Sequence, residues 1–192
     1  MQAAFRKLLA EAIGEHRVEQ ALSGLASEAS VSLRLNPFKH TDAFPLGGDG
    51  ECRPVAWSEH GRLLSGRPVF TLDPLFHAGA YYVQDSSAMY VGELFRNLLS
   101  RLERPLDRPL RVLDLCAAPG GKTTDAAASL RAVCGDYYLL VANEIMRSRA
   151  GVLADNVAIW GDRCVAVSSL DPAGFVALRG FFDIIVAAVP CS

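Results

Sequence analysis

The sequence predicts an α/β protein: a parallel sheet covered by helices on both faces, preceded by a small cap of helices and a strand. Three observations carry this. Apolar runs at 111–115, 137–142, 163–168 and 182–188 alternate with helical segments at 123–131, 145–156 and 173–179. The runs are apolar nearly throughout, as in strands covered on both faces. Between the first run and the first helix stands Cys116-Ala117-Ala118-Pro119-Gly120-Gly121-Lys122. A turn of small residues at that join is where strand–turn–helix units receive nucleotide-like ligands.

The elements follow in order. Residues 2–13 place Phe5, Leu8, Leu9 and Ile13 at helical spacing, and Val18, Leu22 and Leu25 continue in a second short helix. These apolar positions are expected to be core faces of the cap. Val31 to Leu35 alternates and reads as a strand. Pro37 and the glycines and prolines of 41–50 mark a loop. A soft boundary is placed there, with an N-terminal cap over 1–50 and the main domain over 51–192. Residues 67–85 read as short irregular strands and turns. Ser86 or Ser87 caps a helix carrying Val91, Phe95, Leu98 and Leu102, and Pro105 and Pro109 sit in the connector to the first strand of the parallel sheet.

Composition bounds the function. The 192 residues suit one domain with an appendage, and 51% hydrophobic residues are enough for a sizeable core. A net charge of -2 excludes a global basic field, so any nucleic-acid contact must be local. Five cysteines without a C-x-x-C pair and four scattered histidines argue for a reducing compartment and against a metal site. The N-terminus lacks an apolar signal core, and no run approaches the length of a membrane span. The expected setting is cytoplasmic, with no membrane partner.

The turn itself allows several readings. Ala117, Ala118, Gly120 and Gly121 let a ligand lie against the backbone, and the helix N-terminus offers unpaired N–H groups to an anion. Gly121-Lys122-Thr123 ends like a P-loop, but that motif needs a glycine at 116, where Cys116 stands. The G-x-G-x-x-G fingerprint is absent, and an ordinary strand-to-helix turn is the bland alternative. Glu144, just past the second strand, is placed to accept from ribose hydroxyls or simply to favour a helix N-terminus. Asp171-Pro172 has the form of an N-cap followed by proline. Arg34 and Asn36, taken alone, read as ordinary residues of a strand with one outward face.

The string Asp114-Leu115-Cys116-Ala117-Ala118-Pro119-Gly120-Gly121-Lys122-Thr123 resembles the cofactor loop of the Sun-type RNA cytosine-5 methyltransferases. Ser32-Leu33-Arg34-Leu35-Asn36 resembles that family's Leu-Arg-x-Asn segment. Val55-Ala56-Trp57 and His77 to Met89 resemble its entry into the catalytic domain, and Pro190-Cys191-Ser192 its Asp-Ala-Pro-Cys-Ser motif. The resemblance implies a Rossmann-like core that binds S-adenosyl-L-methionine and methylates cytosine in RNA, expected to be ribosomal RNA, with 1–50 as an RNA-contact subdomain and Arg34 and Asn36 helping to hold the RNA. It implies cofactor contacts from Cys116 to Lys122, from Glu144 to the ribose and from Asp171 to the adenine side, with Lys122 near the cofactor's carboxylate.

In that family a later Thr-Cys motif supplies the attacking thiol, while the cysteine matched by Cys191 assists product release. Ala188 stands where the family has an aspartate. The chain is therefore expected to hold the first four strands of a seven-stranded sheet. It is expected to be inactive by itself, as a truncated piece, a proteolytic product or a divergent remnant. A non-catalytic cofactor- or RNA-binding remnant is the rival reading, and a P-loop NTPase a distant one. The apolar edge at 182–189 is expected to self-associate.

Overall fold

The structure, a computed structural model, describes residues 2–27, 29–39, 52–102 and 107–189. The chain divides between Ser30 and Val31. The expected boundary near residue 50 falls among 40–51, outside the described residues.

The first unit holds α1 (Gln2–Ile13) and α2 (Glu15–Ala26), broken at Gly14 and tied by an Arg6–Glu19 ion pair. Phe5, Leu8 and Leu25, expected to face a core, are exposed. Two short helices cover little more than one stripe of each other, and apolar residues off that stripe stay in water.

The second unit begins with an antiparallel sheet. Its strands are β1 (Val31–Leu35), β2 (Cys52–Val55), β3 (Ser58–Leu64) and β4 (Tyr81–Val83), in the order β2-β3-β1-β4. The β2–β3 hairpin has no clean alternation to announce it, and Pro54 sits in the edge strand, where a missing donor is tolerated. Between β3 and β4 run a 3-10 turn at Phe70–Leu72 and the one-turn α3 (Pro74–His77), the irregular stretch expected there. Asp73 caps α3 through Leu75 N and accepts from the Tyr81 hydroxyl at 2.8 Å. Leu33, Phe70, Ala80 and Tyr81 form the core on one side of this sheet.

Next comes α4 (Ser86–Leu99), capped by Asp85 rather than by a serine; the Asp85 carboxylate accepts from Ser87 N at 2.8 Å. Then β5 (Leu110–Asp114), α5 (Gly121–Cys134), β6 (Tyr138–Asn143), α6 (Arg147–Trp160), β7 (Val165–Ser168) and β8 (Ile184–Val186) follow the expected alternation. The four strands are parallel, in the order β7-β6-β5-β8. Phe95, Leu99, Ala127 and Leu130 of α4 and α5 pack with Leu110, Val112, Leu140 and Ile184 on one face. Leu153 and Val157 of α6 pack with Ala142, two residues on from Leu140 and so on the same face.

Two expectations are revised here. The helix at 173–179 is a 3-10 turn over Pro172–Leu178. The last strand is three residues long instead of seven, and Ile185 is 60% exposed, so it is covered on one face only.

The chain runs outward from β5 to β7, then returns to the other side of β5. The switch point thus lies beyond the carboxyl end of β5, where open α/β sheets hold ligands.

Candidate cofactor site

β5 ends in Asp114, and the chain turns over Leu115–Gly120 into α5. The turn is hung from the neighbouring strands: Leu115 N donates to Val186 O (2.9 Å), and Ala117 N to Asn143 O (2.8 Å). The Ala118–Pro119 peptide is cis. Gly120 has φ 113°, a left-handed conformation that L side chains rarely adopt. A side chain there would also meet Leu153 Cδ1 at 3.3 Å. No side chain caps α5, so its first-turn N–H groups have no side-chain acceptor. A 14-residue helix with such an N-terminus can receive an anionic group.

Asp114 is almost fully buried and accepts from Thr123 Oγ1 at 2.7 Å, while its Oδ1 is buried without a protein partner. Burial pushes its carboxyl above the usual carboxylate range, partly opposed by the Thr123 hydrogen bond and the nearby Lys122 charge. Lys122 lies half-buried on the first turn of α5.

Glu144 follows β6 and is 3% exposed. Its Oε1 accepts from Met146 N (3.0 Å), and its Oε2 lies 3.4 Å from Arg149 Nη1. Arg149 Nη2 in turn donates to Ala118 O at 3.0 Å, joining Glu144 to the turn. Asp171 is exposed and caps the 3-10 turn by accepting from Ala173 N at 2.8 Å, which is the capping alternative realised. Asn143 ties the loops together: its amide donates to Leu115 O and Leu170 O, and its carbonyl accepts from Ser168 Oγ and Leu170 N. Cys116 to Lys122, Glu144 and Asp171 thus lie on loops at the same end of the sheet.

Arg34 and Asn36 are buried, Arg34 against the turn itself, which speaks against the expected RNA contact for both. Arg34 is 1% and Asn36 5% exposed. Arg34 donates to Gln84 Oε1, Gly121 O and Thr124 Oγ1, and its guanidinium stacks on Trp160 at 4.6 Å. Asn36 donates to Gly79 O and Trp160 O. The expectation assumed a strand with one wet face, whereas Ser32, Leu33 and Arg34 of β1 are all buried. Cys191, with Pro190 and Ser192, lies outside the described residues, and Ala188 is half-buried beyond β8. Among the described residues there is no cluster of metal-ligating side chains. No helix of the described residues is long and apolar enough to cross a membrane.

Sequence reasoning passed over Asp114, Asn143, Tyr82, Arg149 and Asn156. Asp114 had a signal, a carboxylate closing an apolar run. The other four are ordinary polar residues whose partners are distant in sequence.

Comparison with known proteins places this geometry. Residues 1–86 match the N-terminal domain of 16S rRNA methyltransferase RsmF, and residues 104–192 match 16S rRNA methyltransferase RsmB/F. The chain belongs to the RsmB/F family, in its N-terminal region. Its relatives include the Ribosomal RNA small subunit methyltransferase F of Pectobacterium atrosepticum, 34% identical over 174 residues, covering 84% of this chain and 33% of that protein. The protein of the same name from Escherichia fergusonii is 38% identical over 146 residues, covering 72% and 28%. The chain therefore spans about a third of the length of these curated relatives.

Among solved structures, a methyltransferase homolog protein from Pyrococcus horikoshii superposes with TM-score 0.70 at 22% identity, covering 94% of this chain and 56% of that one. NSun6 from Pyrococcus horikoshii with SFG gives 0.66 at 14% identity, covering 97% and 70%. At these identities the likeness shows the fold, a partial Rossmann-like methyltransferase core.

Proposed function

We propose that this chain binds S-adenosyl-L-methionine beyond the carboxyl ends of β5 and β6, and serves methylation of cytosine C5 in ribosomal RNA. The observation that carries the reading is the glycine turn leading into an uncapped α5, with buried Glu144 on the neighbouring loop. Family membership and the SFG in the NSun6 structure support it.

The residues fit such a cofactor. Gly120 and Gly121 let the turn pack closely on Leu153, Tyr82 and Gln84, which fixes its place. The N-terminus of α5, with Lys122, suits a carboxylate; Glu144 Oε2 is a hydrogen-bond acceptor for ribose hydroxyls; Asp171 flanks the adenine side. The bound group supplies an electrophilic methyl. The protein's part is to orient it and exclude water, because a desolvated, preoriented donor and acceptor lower the barrier. Cys191 is assigned product release, as in the family. The RNA contact belongs to residues other than Arg34 and Asn36. The partner reading adds a second copy of the chain at the β8 edge, and the setting is the cytoplasm.

Calorimetric titration with S-adenosylhomocysteine tests this. The 192-residue chain should bind it, and Glu144→Ala should lose about 1–3 kcal/mol through the missing hydroxyl contacts. Equal affinities would remove Glu144 from the site. Binding of ATP with magnesium in its place would revive the P-loop alternative.

A further inference from the structure

The turn is gripped by side chains of the antiparallel sheet and of α6. Tyr82 Oη donates to Pro119 O at 3.0 Å, and Asn156 Nδ2 to the same oxygen at 2.8 Å. Arg34 Nη2 donates to Gly121 O (3.2 Å) and to Thr124 Oγ1 (2.6 Å). Arg34 and Tyr82 are direct cross-strand partners on β1 and β4, so a single rung of the antiparallel sheet supplies both donors on one face. Gln84, two residues on, shares that face and accepts from Arg34 Nε at 3.0 Å. A Cβ at Gly121 would lie 3.3 Å from Tyr82 Cε1 and 3.4 Å from Gln84 Cδ. Gly121 is therefore small because the sheet leans on it.

We propose that the antiparallel sheet clamps the cofactor turn, with Arg34 and Tyr82 as positioning residues for the site. The inference rests on the cofactor reading above. A peptide unit is planar and its C=O and N–H point opposite ways. Holding the Gly121 carbonyl towards Arg34 thus aims the Lys122 N–H away from the sheet. Holding the Pro119 carbonyl fixes the peptide that leads into Gly120.

A buried guanidinium is a costly way to hold two elements together, since apolar residues often serve stability as well. Arg34 is kept charged beside Asp125, 3.7 Å away, with its plane on Trp160. What it adds over an apolar side chain is direction: a rigid fork of donors that sets where the turn sits.

The test uses the whole chain with Tyr82→Phe, which keeps the ring, and Arg34→Lys, which keeps the charge but not the fork. Affinity for S-adenosylhomocysteine is measured by calorimetry, and amide exchange is read at 120–124 against β6. Each variant should bind about three- to thirty-fold more weakly, with faster exchange confined to 120–124 and β6 unchanged. Wild-type affinity with wild-type exchange would overturn the proposal. So would a loss that comes with faster exchange throughout, which marks a purely structural role. If the unsubstituted chain does not bind, the cofactor reading fails, while the exchange pattern still decides the clamp. If Arg34→Lys does not fold, Tyr82→Phe decides alone.

Discussion

At the scale of single residues, burial decides what each side chain can do. Gly92 of α4 faces Asp125, and a Cβ there would lie 2.1 Å from Asp125 Oδ2. That carboxylate has little room to retreat, because Arg96 Nη1 holds its other oxygen at 3.2 Å and Arg34 lies beside it. Alanine is the better helix former by about 1 kcal/mol, so Gly92→Ala in an open helix would stabilise. Here it should cost about 1–3 kcal/mol through overpacking. Urea unfolding measures the sign directly, and a raised midpoint would mean that α4 and α5 separate freely. The same reasoning separates Glu144 from Asp171. The first is a buried carboxylate at the site, while the second is exposed and already serves as a cap.

At the scale of elements, β8 is the weak piece. It pairs with β5 over three residues, and Ile185 and Val189 are exposed. Its entry is pinned by Asp183, which takes Arg108 in a two-point pair at 2.7 and 2.8 Å and accepts from Arg111 N. The Arg108 hydrogen bond, chiefly, holds the Asp183 carboxyl below the usual carboxylate range. A depressed folded-state pKa gives stability that is present above the unfolded value, about 3.9, and lost as pH falls through the folded one. Asp183→Asn should therefore lower the urea midpoint at pH 7, with the difference shrinking as pH falls below the unfolded value and through the lower folded one. A gap that persists in acid would mean the pair acts through shape rather than charge.

The outer edge of β8 has no strand partner among the described residues, and such an edge can accept another chain. Light scattering should show concentration-dependent association, weakened by Ile185→Lys. A monomer at high concentration with protected amides at 184–186 would contradict it.

At the scale of the molecule, the proposed cofactor binding is expected to separate from methyl transfer. The sequence contains no Thr-Cys pair, and Ala188 stands where the family has a carboxylate. The 192-residue polypeptide should bind S-adenosylhomocysteine yet transfer no methyl group to unmodified ribosomal RNA in a tritium assay. Turnover would show that Cys191 can act as the nucleophile and would reverse its assignment to product release.

By itself the sequence determined the parallel α/β order, the glycine turn after the first strand of that sheet, the acid just past the second and the capping form of Asp171-Pro172. These are local signals: runs of apolar residues, small residues at a turn, and an acid just past a strand. Only the tertiary structure decided the fate of Arg34. Its partners Gly121 and Thr124 lie 87 and 90 residues away, and nothing within β1 distinguishes a wet guanidinium from a buried one. It also decided that Tyr82 and Asn156 meet at Pro119 O, and that Asn143 ties three loops together. Periodicity reports which face of an element is apolar. What comes to lie against that face is set by how sheets and helices stack, and there the roles of polar residues are assigned.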